Sequence, residues 1–286
     1  FRLMKILKNV SLKKYNTIKI GGPAKVIYFP ENHSEIKSIK SVLEKKKTLI
    51  LGNGSNIAFK DIGYKNDLVC FKKLKNSLSL IGTNNIYASA GVSCVKLAKF
   101  AYRNDIPGFE FLHGIPGTVG GALRMNAGAF GAEVWDNVQY VTILDKKFDL
   151  VKRHKSKFIY SYRKVCMKDT SAFIDVYFKI NRNRKFQKHL LEEFSLKRKN
   201  TQPINQWSSG CIFKNPKNNI SASALIDKSN LSKTRYGGIY ISNKHCNYFI
   251  NDGNGSCSDL EKLIKIIQTD IYNQHKVKLE KEICIY

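Results

Sequence analysis

Three glycine-bearing strings in this chain have the residue types to hold an anion. They are IGGPA (Ile20–Ala24), LGNGSN (Leu51–Asn56) and GIPGTVGGALRMNAGA (Gly114–Ala129). Glycine lets backbone approach a ligand closely, and successive unencumbered N–H groups form anion-binding nests. The third string carries no charge from Gly114 to Leu123, so it is not a solvated linker, which would be serine- or charge-rich. It reads as a buried loop and helix start wrapped around something bulky that bears phosphate. In LGNGSN, Gly52, Asn53 and Gly54 offer main-chain donors, while Ser55 and Asn56 add side-chain donors suited to phosphate or a ring carbonyl. No string matches GxGxxG before a helix with a downstream acid, and none matches GxxxxGK[ST]. Rossmann and triphosphate sites are therefore disfavoured. Several separate loops point instead to an elongated ligand with a pyrophosphate, held between two small subdomains.

The elements that must position these loops alternate helix and strand. Thr17–Phe29 reads as strand, glycine turn, strand. Glu31–Lys47 is an amphipathic helix with Ile36, Ile39 and Leu43 at helical spacing. Thr48–Leu51 is a buried strand running into LGNGSN, which places that loop where α/β sheets bind ligands. From Leu68 to about Arg182 strands predominate, interrupted by a helix in SCVKLAKFAYRNDI. Lys185–Asn200 reads as a charged connecting helix, followed by a helix start at SALIDKS and two short strands in GGIYISNKHCNYFIN. Next comes a long helix that Ser258 caps and Glu261 completes as a capping box. A final strand, KLEKEICIY, closes the chain. The fold class is α+β, with no internal repeat.

Composition narrows the function. The chain has 286 residues, enough for two or three units, with 49 Lys+Arg against 22 Asp+Glu and a formal charge of +27. Its lysines are scattered rather than gathered in a stripe, and no nucleic-acid-binding motif accompanies them. The charge reads as residue bias that also favours anionic small ligands, and no nucleic-acid partner is expected. No apolar run reaches the roughly 18 residues of a membrane span, and FRLMKILKNV is too short and charged for a secretory signal. Cytoplasmic location is the expectation. Seven cysteines without paired spacing argue against a disulfide framework.

Taken together, NTIKIGGPA, LGNGSN, GFEFLHGIPGTVGGALRMNAGAFG, SYR (Ser161–Arg163), SSGCIFKNP (Ser208–Pro216), SNKHCNYFIN (Ser242–Asn251) and LEKEI (Leu279–Ile283) run nearly end to end. In them the chain resembles the UDP-N-acetylenolpyruvoylglucosamine reductase family, in its shorter second type. The resemblance implies an FAD-binding fold of the vanillyl-alcohol-oxidase group, with subdomains at 1–64 and 65–184 and a substrate domain at 185–286. It implies FAD held by Gly52, Asn53, Gly54, Ser55 and Asn56, by Gly114, Ile115, Pro116, Gly117, Thr118, Gly120 and Gly121, and by Asn126, Ala127 and Gly128. NADPH is the implied reductant, a UDP-sugar enolpyruvyl ether the substrate, peptidoglycan precursor synthesis the role, and a monomer the working form.

The implied chemistry adds hydride to the terminal enol carbon and protonates the carbon that bears the carboxylate. By resemblance, Arg163 stabilises the enolate, since a planar guanidinium suits a carboxylate and stays charged. Cys211 stands where the family usually has a serine proton donor, and a thiol is the stronger acid, at about 8.5. Glu282 matches the carboxyl-terminal glutamate, with Glu280 on the same face of a strand as the alternative. Tyr162, Arg198, Lys214, Asn215 and His245 are candidates for the nucleotide sugar. Two departures stand out: SYRKV lacks the serine usual two residues after the arginine, and Thr201 replaces a lysine before the QP pair, near Lys199. The competing readings are another FAD oxidase of the same fold, with His113 as the group that could tether flavin, and a basic nucleic-acid-binding protein.

Overall fold

The computed structural model describes residues 4–45, 47–74, 77–217 and 220–286. It divides into two compact units. The first takes in the chain up to Leu7, Val26–Asn53 and Asn66–Leu196; the second takes in Lys8–Lys25, Gly54–Lys65 and Lys197–Tyr286. Both mix strands with helices, and a four-stranded sheet runs in the order Lys5–Ser11, Pro23–Phe29, Tyr64–Cys70, Leu49–Leu51. Among the described residues no helix is long and apolar enough to cross a membrane.

The first unit is built on a five-stranded antiparallel sheet ordered Leu150–His154, Val138–Asp145, Thr170–Lys179, Asn85–Ser89, Leu78–Ile81. Its central strand, TSAFIDVYFK, is a near-continuous apolar run because both of its faces are covered. Phe173, Val176 and Phe178 enter one core with Trp135, while Ala172 and Ile174 enter another with Ile36, Ile39 and Leu43. Asp175 interrupts the run. Burial pushes its carboxyl up, and Tyr87 Oη (2.7 Å) and His33 Nε2 (3.1 Å) hold it. Helix Cys94–Arg103 forms as its pattern requires: Ser93 accepts from Lys96 N, and Cys94, Leu97, Ala98 and Ala101 line the buried face.

The helix expected over Glu31–Lys47 is shorter and broken, as His33–Ser38 and Lys40–Leu43. Ser38 Oγ donates to Glu35 O, and such back-bonding loosens a helix turn. The apolar spacing survives the break, with Ile36, Ile39 and Leu43 all buried.

The second unit packs helices Ala222–Lys228 and Cys257–His275 around a three-stranded antiparallel sheet ordered Arg235–Tyr236, Ile239–Ser242, His245–Asn251. Thr17–Ile20, expected as a strand, forms no ladder. Asn16 takes that role instead: its Nδ2 donates to Leu12 O and Ile20 O, and its Oδ1 accepts from Ile20 N. Ile18 and Ile20 are nonetheless fully buried. The long helix begins two residues earlier than its sequence suggested, with Ser256 as cap and Asp259 completing the box. Glu261 pairs with Lys60, and Asp61 accepts from Cys257 N and Ser258 N. The terminal strand shrinks to Cys284–Ile285, parallel to Ile57–Ala58.

Candidate functional site

In the first unit the strand Leu49–Leu51 runs parallel to Leu68–Cys70 and delivers Gly52 and Asn53 to the end of the sheet. Asn53 Nδ2 donates to Pro116 O at 2.6 Å, tying this loop to the glycine-rich one. Thr118 Oγ1 accepts from Gly121 N at 3.3 Å and so caps helix Val119–Met125. A Cβ on Gly52 would lie 2.7 Å from that same oxygen, and one on Gly120 would lie 2.7 Å from Ala90 Cβ. These glycines let segments of the chain approach each other closely.

Beside them opens a cavity of about 430 Å³, within the usual range for ligand pockets. Asn53, Ile115, Pro116, Gly117 and Thr118, all picked out in the sequence, line it. So do Lys72, Gly91, Ser93, Val95 and Lys96, which no motif marks. The donor set combines lysine ammonium groups and an amide with the apolar flanks of Ile115, Pro116 and Val95. That mixture suits a diphosphate joined to a flat base, so the residues present fit the ADP half of FAD. Gly114 ends the turn Glu110–Gly114 just before this segment, where His113 Nδ1 lies 2.6 Å from Ser195 Oγ.

At the far end of the glycine run, Asn126 is fully buried in left-handed conformation (φ +45°) and ends the capped helix. Its Nδ2 donates to Glu133 Oε2 (2.6 Å) and Ser161 O (3.0 Å), and its Oδ1 accepts from Trp135 N. Ala127 N donates to Ala122 O, and Gly128 pairs with Glu133 in a short ladder. Arg163 reaches the same place. Tyr160–Ser161 and Lys164–Val165 form a tight hairpin, with Tyr162 and Arg163 as its loop. Arg163 Nη2 donates to Gly128 O at 2.7 Å, and Nη1 to Asn126 O at 3.4 Å. Its guanidinium also lies 4.9 Å from the ring centroid of Tyr162, which is 46% exposed. The first unit thus gathers Tyr162, Arg163, Asn126 and Gly128.

The second unit gathers another group. Cys211 bridges Tyr248 on the strand His245–Asn251, and Ile212 N donates to Asn247 O. Asn247, almost fully buried, accepts from Phe213 N (2.9 Å) and donates to Phe213 O (2.8 Å). On the other side, Glu282 N donates to Ile212 O at 2.8 Å and Lys214 N to Glu280 O at 2.9 Å. Asn56 Nδ2 donates to Glu282 O at 3.0 Å. Gly54, at φ +68°, must be glycine because a Cβ would overlap Tyr15 O. Cys211 and Glu282 are both half-buried. Glu280 instead reaches outward to Lys214 Nζ (2.6 Å).

Asn215 Oδ1 accepts from Ala222 N at the start of helix Ala222–Lys228. His245 packs edge-on to Tyr248 at 4.8 Å, and burial holds its pKa below the usual 6.5. Arg198 lies half-buried on helix Leu190–Thr201, where Thr201 Oγ1 is taken up by Lys197 O.

Two family profiles match: an FAD binding domain over residues 24–152 and the UDP-N-acetylenolpyruvoylglucosamine reductase C-terminal domain over residues 202–286. Among curated proteins, the UDP-N-acetylenolpyruvoylglucosamine reductase of Legionella pneumophila (strain Corby) is 34% identical over 283 residues, covering 98% of this chain and 92% of that protein. The reductase of Clostridium novyi (strain NT) is 32% identical, with the same coverage of each chain. That of Pelagibacter ubique (strain HTCC1062) is 35% identical over 98% of this chain and 94% of its own length. Among solved structures, the reductase (MurB) from Thermus caldophilus superposes with a TM-score of 0.82 at 28% identity, covering 99% of this chain and all of that one. With an FAD-binding domain, the reductase C-terminal domain and end-to-end similarity, the chain is an FAD-dependent oxidoreductase that belongs to the UDP-N-acetylenolpyruvoylglucosamine reductase family.

Proposed function

We propose that the chain uses NADPH to reduce the enolpyruvyl ether of UDP-N-acetylglucosamine to UDP-N-acetylmuramate, as a cytoplasmic monomer serving peptidoglycan precursor synthesis. In this reading residues 1–64 and 65–184 hold the cofactor and 185–286 the substrate. FAD, when bound, supplies the hydride. Arg163 meets the substrate carboxylate and the enolate charge that develops beside it. Its loop is held to the carbonyls of Asn126 and Gly128, so the guanidinium is preorganised rather than recruited. Cys211 then delivers the Sγ proton to the carboxylate-bearing carbon, a transfer that needs the donor within about 3 Å.

Glu282 works on the same carbanionic centre. The observation that carries the reading is the backbone bond from Glu282 N to Ile212 O. It fixes the thiol-bearing and carboxylate-bearing segments side by side. Glu280 is committed to Lys214, which favours Glu282 over its neighbour for the catalytic role. Lys214, Asn215, Arg198, His245 and Tyr162 take the sugar nucleotide. Asn215 does so through its NH₂, because its oxygen is already used. Stopped-flow absorbance tests the whole reading. NADPH should bleach the flavin, and the enolpyruvyl sugar nucleotide should restore its colour without oxygen. Bleaching that only oxygen reverses would refute the substrate assignment.

A further inference from the structure

The cavity beside Asn53 carries two cations that no motif announces. Lys72 lies in the turn Phe71–Lys73 that follows the strand Tyr64–Cys70, and Lys96 lies in the first turn of helix Cys94–Arg103. Both line the cavity, and no carboxylate does. Lys40, Lys45, Lys60, Lys73 and Lys214 each pair with an acidic side chain. Among the described residues, Lys72 and Lys96 make no such pair. The contrast is sharpest between neighbours, since Lys73 reaches Glu31 while Lys72 faces an uncompensated pocket.

Two ammonium groups and a helix N-terminus beside the apolar Ile115 and Val95 are the chemistry that recognises a nucleoside diphosphate: two adjacent negative charges joined to a flat base. We infer that Lys72 and Lys96 hold the diphosphate of the ADP half of FAD. The inference rests on the FAD reading above and adds to it the residues that neutralise the cofactor's charge. The backbone cradle around Gly52 and Thr118 supplies shape but no full positive charge, so the lysines are the groups whose removal would separate charge from fit.

Calorimetry on apo-protein tests this, with ADP, adenosine and FAD as probes. Lys72→Gln and Lys96→Gln should each weaken FAD and ADP about three- to tenfold and leave adenosine unchanged. Lys72→Arg should restore the affinity, because the charge stays. Added salt should weaken ADP binding less in the double variant than in the wild type. Equal losses for ADP and adenosine would mean that the lysines merely shape the pocket, and would overturn the assignment. So would a double variant that binds FAD as the wild type does. If the variants weaken NADP⁺ on the FAD-loaded protein but not FAD on the apo-protein, the diphosphate recognised is that of the reductant, and the assignment to FAD fails. Wild-type apo-protein that takes up no FAD would sink the cofactor reading itself.

Discussion

Gly52→Ala isolates one contact between the loop after Leu49–Leu51 and the start of helix Val119–Met125. A Cβ at Gly52 would lie 2.7 Å from Thr118 Oγ1, while the next nearest atoms, at 3.8 Å, belong to the same side chain. Gly52 is not among the residues with positive φ, so alanine adds no backbone strain. The hydroxyl must swing away, and it then gives up the bond from Gly121 N that caps helix Val119–Met125. Losing such a cap costs about 1 kcal/mol, or roughly 2–4 °C of melting temperature for a unit of this size. Thr118→Ala should cost the same and also clear the space, so Gly52→Ala in that background should cost about 0 kcal/mol. Urea unfolding followed by Trp135 fluorescence, in a Trp207→Phe background, reads this out. Trp135 is fully buried in the first unit and its Nε1 donates to Leu123 O, inside the capped helix. Additive losses totalling about 2 kcal/mol would refute the reasoning.

Cys211→Ala should leave NADPH-driven bleaching of the flavin intact and abolish recovery on adding the enolpyruvyl nucleotide, whereas Cys211→Ser should keep much of it. A dead serine variant would contradict simple proton donation. Arg163→Gly should relieve a positive φ, worth about 1 kcal/mol, against two lost hydrogen bonds to carbonyls. It should therefore unfold below the wild-type midpoint by about 1–2 kcal/mol, retain FAD and lose the second half-reaction; loss of FAD in parallel would make the arginine structural. For His245, burial lowers the folded-state pKa below 6.5, so the unfolded chain binds the proton more readily. Stability from the neutral ring is present above about pH 6.5 and is lost as pH falls. The urea midpoint of the second unit, read at Trp207, should drop between about pH 8 and pH 5, and His245→Gln should flatten that drop. An unchanged slope would rule the ring out.

How much of this was legible depends on whether a feature is written locally. The glycine strings were visible because close approach of backbone leaves no alternative to glycine, as Gly54 and Gly120 demonstrate. Helix Cys94–Arg103 was visible from its cap and its 3–4 spacing. The start of Cys257–His275 was ambiguous in a definite way. Ser256 with Asp259 and Ser258 with Glu261 are two capping boxes in register, and propensity does not choose between them. Tertiary partners do. Lys60 draws Glu261 away, and Asp61 satisfies the N–H groups of Cys257 and Ser258, which makes Ser256 the cap. Thr17–Ile20 misled for a related reason: Ile18 and Ile20 alternate as a strand would, but a side-chain amide replaces the neighbouring strand. Lys72 and Lys96 left no signal, since one lysine in a lysine-rich chain looks like any other until distant segments meet around a cavity.

Arg163 shows where local preference and the residue present part company. Its hairpin loop has two residues, and the second of them takes φ +54°, a place where glycine or asparagine is usual. A long β-carbon-bearing side chain there costs about 1 kcal/mol. Asn126, at φ +45°, takes the same kind of position, but asparagine tolerates it and its carboxamide is fully used within the protein. Arginine gains no such conformational ease. Among its contacts are the bonds to Gly128 O and Asn126 O and the packing on the Tyr162 ring. Those bonds alone do not require a guanidinium, since an asparagine or glycine loop would close the same hairpin without the strain. On the proposed function the guanidinium also meets the substrate carboxylate, and neither asparagine nor glycine would supply that permanent planar charge. On that proposal the hairpin keeps a poor turn residue because a good one would carry no charge.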